Sequence, residues 1–76
     1  ASLNRANLRD TNLAQAYLSN ADLEGADLRG ADLTQAYLLN ANLRGANLCG
    51  ANLTGAKLTE EQLATAKTNW LTVKPN

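Results

Sequence analysis

Residues 21–45 read ADLEG ADLRG ADLTQ AYLLN ANLRG, consecutive blocks of five residues with leucine at the centre of each. Outward from this stretch, leucine recurs at every fifth position from Leu3 to Leu63. Alanine stands two residues before the leucine from Ala1 to Ala56, with Thr11 as the exception. A tandem repeat of this kind indicates a repeat architecture and decides the fold.

A period of five residues fits neither an α-helix nor a continuous β-strand. In a helix a step of five turns by about 140°, so the leucines would spread around the cylinder. In a strand five is an odd step, so successive leucines would point to opposite faces. One leucine set is buried only if the chain turns a corner every five residues and winds around an axis. The repeat therefore predicts an all-β solenoid.

A second period gives the number of sides. The residues 15–18 (QAYL) return as residues 35–38, twenty positions later. Twenty residues make four sides of five, which predicts a square cross-section, wound right-handed as parallel crossovers are. The second residue after each leucine marks the corner and is often glycine, asparagine or aspartate, which tolerate φ > 0 in type II turns. Gln15 and Gln35 depart from this composition, and we expect a different turn type along their edge.

Blocks of the form Ala-(Asp/Asn)-Leu-X-X resemble the motif of the pentapeptide-repeat proteins. The blocks that match it fully are Ala21–Gly25, Ala26–Gly30, Ala41–Gly45 and Ala51–Gly55. The resemblance covers roughly residues 1–60 and is nearest to small cyanobacterial members of the family. It implies a right-handed quadrilateral β-helix, the shape that the two periods also predict. The departures from the motif keep its inward pattern; they are Ser2, Thr11, Tyr17, Tyr37 and Lys57.

We divide the chain into a β-helix over residues 1–58, with about three coils of four pentapeptides, and a C-terminal capping helix and tail over residues 59–76. An open solenoid end exposes apolar core and unpaired backbone, so we expect residues 59–73 to cover the last coil. Trp70 is the expected lid.

The start of the capping helix is marked by Thr59 and Gln62, which have the spacing of a capping box. The two glutamates between them lie at the positive end of the predicted helix. Leu63 and Ala66 give the helix a short apolar face, and Lys67 is expected near its C-terminus.

The N-terminal end of the solenoid has no matching cap. Ala1, Leu3, Ala6 and Leu8 already belong to the first coil. We therefore expect its outer face to be exposed, with free backbone donors and acceptors. From this asymmetry follows a hypothesis about function: the first coil stacks on another solenoid end. The partner is a second copy, a different pentapeptide-repeat chain or an upstream part of the same protein.

An aromatic column is predicted on one wall. Tyr17 and Tyr37 share a position in successive coils, Lys57 continues the column, and Leu39 lies on the same side. Two interpretations stay open. Stacked tyrosines stabilise a wall as cross-strand aromatic pairs do, and tyrosine is also favoured in protein interfaces.

The composition argues against catalysis and against binding of nucleic acid. Net charge is zero, with seven basic and seven acidic residues, and there is no histidine. A nucleic-acid-binding surface is normally basic, and no nucleophile–base pair or phosphate loop is visible. Asp22, Asp27 and Asp32 lie on three successive sides, so they cannot converge on a metal ion. We expect no enzyme activity, cofactor, metal or small-molecule substrate.

The remaining polar residues have modest expected roles. Arg9 and Arg29 share a column with Asp27 nearby, which predicts either a neutralised surface ladder or a bound anion. Glu24 and Arg44 are expected to form an exposed ion pair that adds little to the stability of the fold. The single cysteine, at position 49, excludes an intramolecular disulfide and is either a surface thiol or one half of an intermolecular bridge.

Two classes of function follow. The first is a structural or protein-interaction module that stacks through its open end, in the simplest case as a homodimer. The alternative comes from the resemblance, because some pentapeptide-repeat proteins are DNA mimics that bind DNA gyrase. Balanced charge and short length favour the first class. No apolar run is long enough for a membrane span and no signal-peptide pattern is present, so a cytoplasmic location is the default expectation.

Overall fold

The computed structural model describes residues 3–74 of the chain. Their backbone pairs through isolated parallel β-bridges rather than continuous strands, and all but one of these bridges join residues twenty positions apart. The bridges are Asn7↔Asp27, Asn12↔Asp32, Tyr17↔Tyr37, Asp22↔Asn42, Asp27↔Asn47, Asp32↔Asn52, Tyr37↔Lys57, Asn47↔Lys67 and Asn52↔Val73. This register agrees with the four sides of five residues that the sequence predicts. We call residues 3–20, 21–40 and 41–60 the first, second and third layers.

The hydrogen bonds between layers have a fixed polarity. The residue before each leucine directs both of its backbone groups toward the preceding layer. Asp27, for example, donates its N–H to the Ala6 carbonyl at 2.9 Å and accepts from the Leu8 N–H at 2.7 Å. The carbonyl of each alanine and the N–H of each leucine face the following layer instead. This polarity decides which backbone groups remain unpaired at each end.

Every corner between Leu3 and Ala56 is a turn in which the third residue has a positive φ, between 57° and 75°. Gln15 and Gln35 share this conformation, with φ of 64° and 58°, so the expectation of a different turn type along their edge is wrong. Arg5 adopts it as well, with φ of 58°. The reason is backbone pairing: the Gln15 N–H donates to the Thr34 carbonyl at 2.8 Å, and this bond imposes the turn despite a left-handed penalty of about 1 kcal/mol.

Leucine and alanine fill the interior, as the sequence predicts. The central leucines of the five-residue blocks from Leu23 to Leu53 are at most 2% exposed and form one cluster with the alanines of the same layers. Each should contribute about 2 kcal/mol relative to an exposed leucine. The four leucines of the first layer are only partly buried and pack against this cluster; they are Leu3, Leu8, Leu13 and Leu18.

The C-terminal segment begins with a short helix, α1, Glu60–Ala64. The predicted capping box is present: Gln62 N–H donates to Thr59 Oγ1 at 3.1 Å, and Thr59 N–H donates to Gln62 Oε1 at 2.9 Å. The helix is shorter than residues 59–73. Lys67, predicted near its C-terminus, lies in a β-bridge instead, because its backbone bonds with Ala46 and Leu48 continue the layer pairing.

Trp70 does not cover the core, and the prediction that it is the lid is wrong. Its side chain is 89% exposed because residues 70–71 form a turn between the bridges of Lys67 and Val73. The inward-facing residue of this turn is Thr72, which is 8% exposed and donates to the Leu48 carbonyl at 2.8 Å. Leu63 and Ala66 are the apolar residues of the segment that pack against the core cluster.

Candidate functional site

The N-terminal end carries unpaired backbone groups. Within residues 3–74, neither the N–H nor the C=O of Asn7, Asn12 and Tyr17 has a hydrogen-bond partner. By the polarity seen between layers, both groups of each residue face away from the second layer. We call this set the N-terminal edge. Such an edge can pair with a further strand, as exposed sheet edges do.

The residues predicted for this interface lie where the sequence places them, with one outside the described part of the chain. Leu3, Ala6 and Leu8 are half-buried in the first layer, and Ala1 lies outside the described residues. The corresponding second-layer residues, such as Ala26 and Leu28, are fully buried. The end face therefore combines half-buried apolar side chains with unpaired backbone.

The aromatic column is also formed. The rings of Tyr17 and Tyr37 are stacked with centroids 4.7 Å apart and an interplanar angle of 22°. Lys57 Nζ lies 5.9 Å from the Tyr37 centroid, within the range of a cation–π contact. Tyr17 is 83% exposed, because no residue of the described chain covers its N-terminal face. Leu39 is 49% exposed beside the column. The column thus supplies an exposed apolar patch that reaches the N-terminal edge.

The aspartates and asparagines before the leucines have a local role that the sequence analysis missed. Each accepts, through its side-chain oxygen, a hydrogen bond from the backbone N–H two residues later. Asn12 Oδ1, for example, accepts from Ala14 N–H at 3.1 Å, and Asn52 Oδ1 accepts from Thr54 N–H at 3.0 Å. The recurrence of asparagine and aspartate before the leucines could have predicted this role, because these residues commonly close such turns with their own side chains.

One cluster of charged residues, around Asp27, is neutralised locally. Arg29 donates to both carboxylate oxygens of Asp27, at 2.8 and 2.7 Å, and Arg9 Nε lies 3.6 Å from Asp27 Oδ2. The side-chain hydrogen bond from Arg29 lowers the pKa of Asp27 from 3.8 to about 2. This is the neutralised ladder of the two interpretations above. Within residues 3–74 the expected pair of Glu24 and Arg44 does not form, and both ion pairs of this part of the chain involve Asp27.

The other candidates for chemistry are dispersed. The Asp32 carboxylate accepts hydrogen bonds from the Thr34 hydroxyl and N–H, which lower its pKa. Asp22 accepts from Asn4 Nδ2 at 2.8 Å. In the part of the chain that the structure describes, no group of three or more His, Cys, Asp or Glu residues is arranged to hold a metal ion. Cys49 is half-buried with a free thiol.

Alanine and leucine facing inward, corners every five residues and a register of twenty together define a pentapeptide-repeat protein. The family model for pentapeptide repeats matches residues 1–38 and 26–60. The chain therefore belongs to the pentapeptide-repeat family. A search of curated proteins finds no match.

Solved structures of the same family are similar to this chain. A pentapeptide-repeat protein from the thylakoid lumen of Arabidopsis thaliana is 32% identical over 93% of this chain and 52% of its own, with a TM-score of 0.62. The pentapeptide-repeat protein Rfr23 from the cyanobacterium Cyanothece 51142 is 39% identical over 95% of this chain and 52% of its own, with a TM-score of 0.52. The chain thus spans about half the length of both. These neighbours imply a right-handed quadrilateral β-helix.

No helix among residues 3–74 has the length and apolar character needed to cross a membrane.

Proposed function

We propose that this chain is a non-catalytic structural and protein-interaction module whose first layer stacks end to end on another pentapeptide-repeat solenoid. The partner is a second copy or a different chain of the same family. The N-terminal edge carries the proposal: Asn7, Asn12 and Tyr17 each present an unpaired N–H and an unpaired C=O on the same side. Half-buried leucines lie directly behind them.

In this proposal the β-helix has about three coils over residues 1–58, and residues 59–76 cap its C-terminal end. The contacts of the C-terminal segment support the cap. Gln62 Nε2 donates to the Leu38 and Ala41 carbonyls at 2.6 and 3.0 Å. Thr72 reaches the third layer, and Leu63 packs against the core. The N-terminal end has no comparable covering segment among the described residues, so association is expected there.

Backbone geometry allows the stacked partner to run in either direction. A parallel partner would repeat the pattern inside the chain, with its alanine carbonyl accepting from the Asn12 N–H. A second copy placed head to head would run antiparallel, and two facing residues would then exchange a pair of N–H···O=C bonds. Because each edge residue offers both groups, both arrangements satisfy the edge.

The size of the end face sets the expected affinity. The molecule measures 26 × 23 × 19 Å, so an end of roughly 20 by 20 Å buries on the order of 400 Å² per partner. This is about half of a standard interface, and interfaces of that size belong to weak complexes. The measurement must therefore extend to millimolar chain concentration.

Light scattering across a concentration series tests the proposal with a matched pair of variants. Asn12→Pro removes the unpaired N–H and the side chain, whereas Asn12→Ala removes the side chain alone. The Asn12 N–H makes no bond within the chain, so the proline does not break a layer bond. We expect the wild type and Asn12→Ala to dimerise at high concentration and Asn12→Pro to stay monomeric.

A variant with an extra layer fused before the first one tests whether the N-terminal edge can stack at all, independently of which partner it stacks on. A second copy of residues 21–40 inserted before residue 1 should supply a preceding layer in cis and protect the amides of Asn7, Asn12 and Tyr17 from hydrogen exchange. A wild type that is monomeric at every concentration overturns stacking on a second copy. If those amides also stay unprotected in the fused variant, end stacking as a whole is overturned.

The alternative, a DNA-mimic inhibitor of DNA gyrase, needs a wall of unpaired negative charge. Asp27 is instead bound by two arginines, and the net charge of the chain is zero. A supercoiling assay with purified gyrase is the direct check: inhibition at a low molar ratio would revive this function. The cytoplasmic location stays a prediction, and the lumenal origin of one similar structure is a property of that protein.

A further inference from the structure

Within residues 3–74, three sides of the third layer are covered at the C-terminal end of the β-helix and the fourth is not. The side at residues 46–48 pairs with Lys67, and the side at residues 51–53 pairs with Val73. The side at residues 41–45 is crossed by α1, with bonds from Gln62 Nε2 to Ala41 and from Gly45 N–H to the Thr65 carbonyl. The fourth side, residues 56–58, has no such covering among residues 3–74. We call it the open side.

Unpaired backbone groups lie at the open side. By the polarity of the layers, the Ala56 carbonyl and the Leu58 N–H face away from the second layer, toward the C-terminal end. Neither has a hydrogen-bond partner within the described residues, whereas the equivalent groups of Ala46 and Leu48 both bond to Lys67. An extended segment placed there would find one acceptor and one donor in the spacing that the chain uses between its own layers.

A recess adjoins these groups. It has a volume of about 690 Å³, and its apolar lining includes Ala56, Leu58 and Leu63. Ordinary ligand pockets span roughly 300–1,000 Å³, so the recess has room for the side chains of a short strand. Leu58 and Leu63 are only partly buried, unlike the inward-facing leucines of the second layer.

The charged residues around the recess indicate the charge of the peptide that would bind there. Lys57 and Lys74 line it, opposed by Glu60 alone, so its balance is positive. Lys57 is also the last residue of the aromatic column. By the pattern between the layers, a residue that paired with Lys57 would point its side chain outward beside the lysine. An acidic residue at that position is therefore favoured over a basic one.

We propose that the open side binds one extended peptide strand, added in parallel, with the pattern alanine–acidic residue–leucine. The acidic residue pairs with Lys57, donating its N–H to the Ala56 carbonyl and accepting from the Leu58 N–H. Its carboxylate lies beside Lys57 and Lys74. The alanine and the leucine of the peptide face inward, as in the layers of the chain itself. The alanine lies over Ala56, and the leucine lies over Leu58 and Leu63. This is strand addition to a free edge, at the opposite end from the stacking face and independent of it.

The test uses a fluorescein-labelled hexapeptide with the sequence Gly-Ala-Asp-Leu-Thr-Gly and fluorescence anisotropy on the full chain. A second peptide replaces the aspartate with lysine, and a third carries N-methyl-aspartate, which keeps the charge and removes the N–H donor. We expect saturable binding of the first peptide and a loss of about tenfold or more for each of the other two.

A matched pair of charge reversals tests the location. Lys57→Glu should weaken the aspartate peptide about tenfold and strengthen the lysine peptide, because the charge at the pairing position is reversed. Lys67→Glu changes another exposed bridge lysine, on the opposite side of the β-helix, and should leave both affinities unchanged. Circular dichroism of both variants verifies that the fold is retained.

Several results would overturn the proposal. One is no saturable binding up to millimolar peptide. Another is equal binding of the aspartate, lysine and N-methyl peptides, which indicates adsorption to an apolar surface. A third is an equal effect of Lys57→Glu and Lys67→Glu. Self-association of the chain that Lys57→Glu abolishes would replace the peptide with a second copy as the occupant.

Discussion

The layered core makes a quantitative prediction about two leucines in one column. Leu28 lies in the second layer and is fully buried, with layers on both sides. Leu8, one layer nearer the N-terminus, is only partly buried. Truncation of a buried leucine to alanine removes its transfer free energy and leaves a cavity, so Leu28→Ala should cost about 3–4 kcal/mol of unfolding free energy.

Leu8→Ala should cost less, about 1–2 kcal/mol, for two physical reasons. Part of the Leu8 side chain is already hydrated in the folded chain, so less apolar area is returned to water. The space it leaves opens toward solvent at the end face and does not persist as an enclosed cavity. Both substitutions remove the same atoms, so the difference reports the position of the layer alone.

Urea unfolding followed by circular dichroism at micromolar chain concentration measures both costs. Domains of this size have total stabilities of about 4–11 kcal/mol and urea slopes near ~1 kcal/mol/M. Leu28→Ala should therefore lower the midpoint by about 3–4 M and Leu8→Ala by about 1–2 M. Leu28→Val, which removes a single methylene, keeps the comparison measurable if Leu28→Ala does not fold. Equal losses at both positions in a monomeric sample would refute the description of the first layer as an open end.

Three further predictions concern the walls and the C-terminal segment. The stability linked to Asp27 is fully present above its unfolded pKa of 3.8 and is lost as pH falls toward the folded pKa of about 2. When stability is measured against pH, the curves of the wild type and Asp27→Asn should therefore diverge in that window. Parallel curves would contradict the hydrogen bond from Arg29 to Asp27. Gln62→Ala removes the capping box and two hydrogen bonds to layer carbonyls, so it should lower the free energy of unfolding in urea by about 2 kcal/mol. The control is Glu61→Ala, an exposed substitution next to it, which should cost under about 0.5 kcal/mol. Trp70→Ala should change stability by less than about 0.5 kcal/mol, and the indole of the wild type should fluoresce as a water-exposed group; a blue-shifted emission or a large loss would restore Trp70 as a lid.

The sequence predicts the inner architecture because burial needs only two residue types in a fixed period. Leu28 and Ala26 face inward for the same reason in every layer, so the periods of five and twenty predict their positions. The tyrosine column follows from the same arithmetic, since Tyr17 and Tyr37 differ by one full layer. The capping box of Thr59 and Gln62 depends only on residues three positions apart, so their spacing in the sequence predicts it.

The errors arise where backbone pairing or a change of register overrides composition. Gln15 has no intrinsic preference for positive φ, and its bond to the next layer imposes that conformation. Trp70 is large and apolar, which suggests burial, yet it lies where the chain inserts one residue between the bridges of Lys67 and Val73. That insertion is invisible in a search for a five-residue period. The open side could not be predicted for the same reason.

The most direct test of end stacking is amide hydrogen exchange of the wild type, measured by NMR at low and at millimolar concentration. Asp27 serves as an internal reference, because its N–H is bonded to the Ala6 carbonyl in the isolated chain. The proposal predicts that the amides of Asn7, Asn12 and Tyr17 exchange freely at low concentration and become protected as concentration rises. Free exchange of these three amides at the highest concentration, with Asp27 protected throughout, would contradict stacking of the chain on itself.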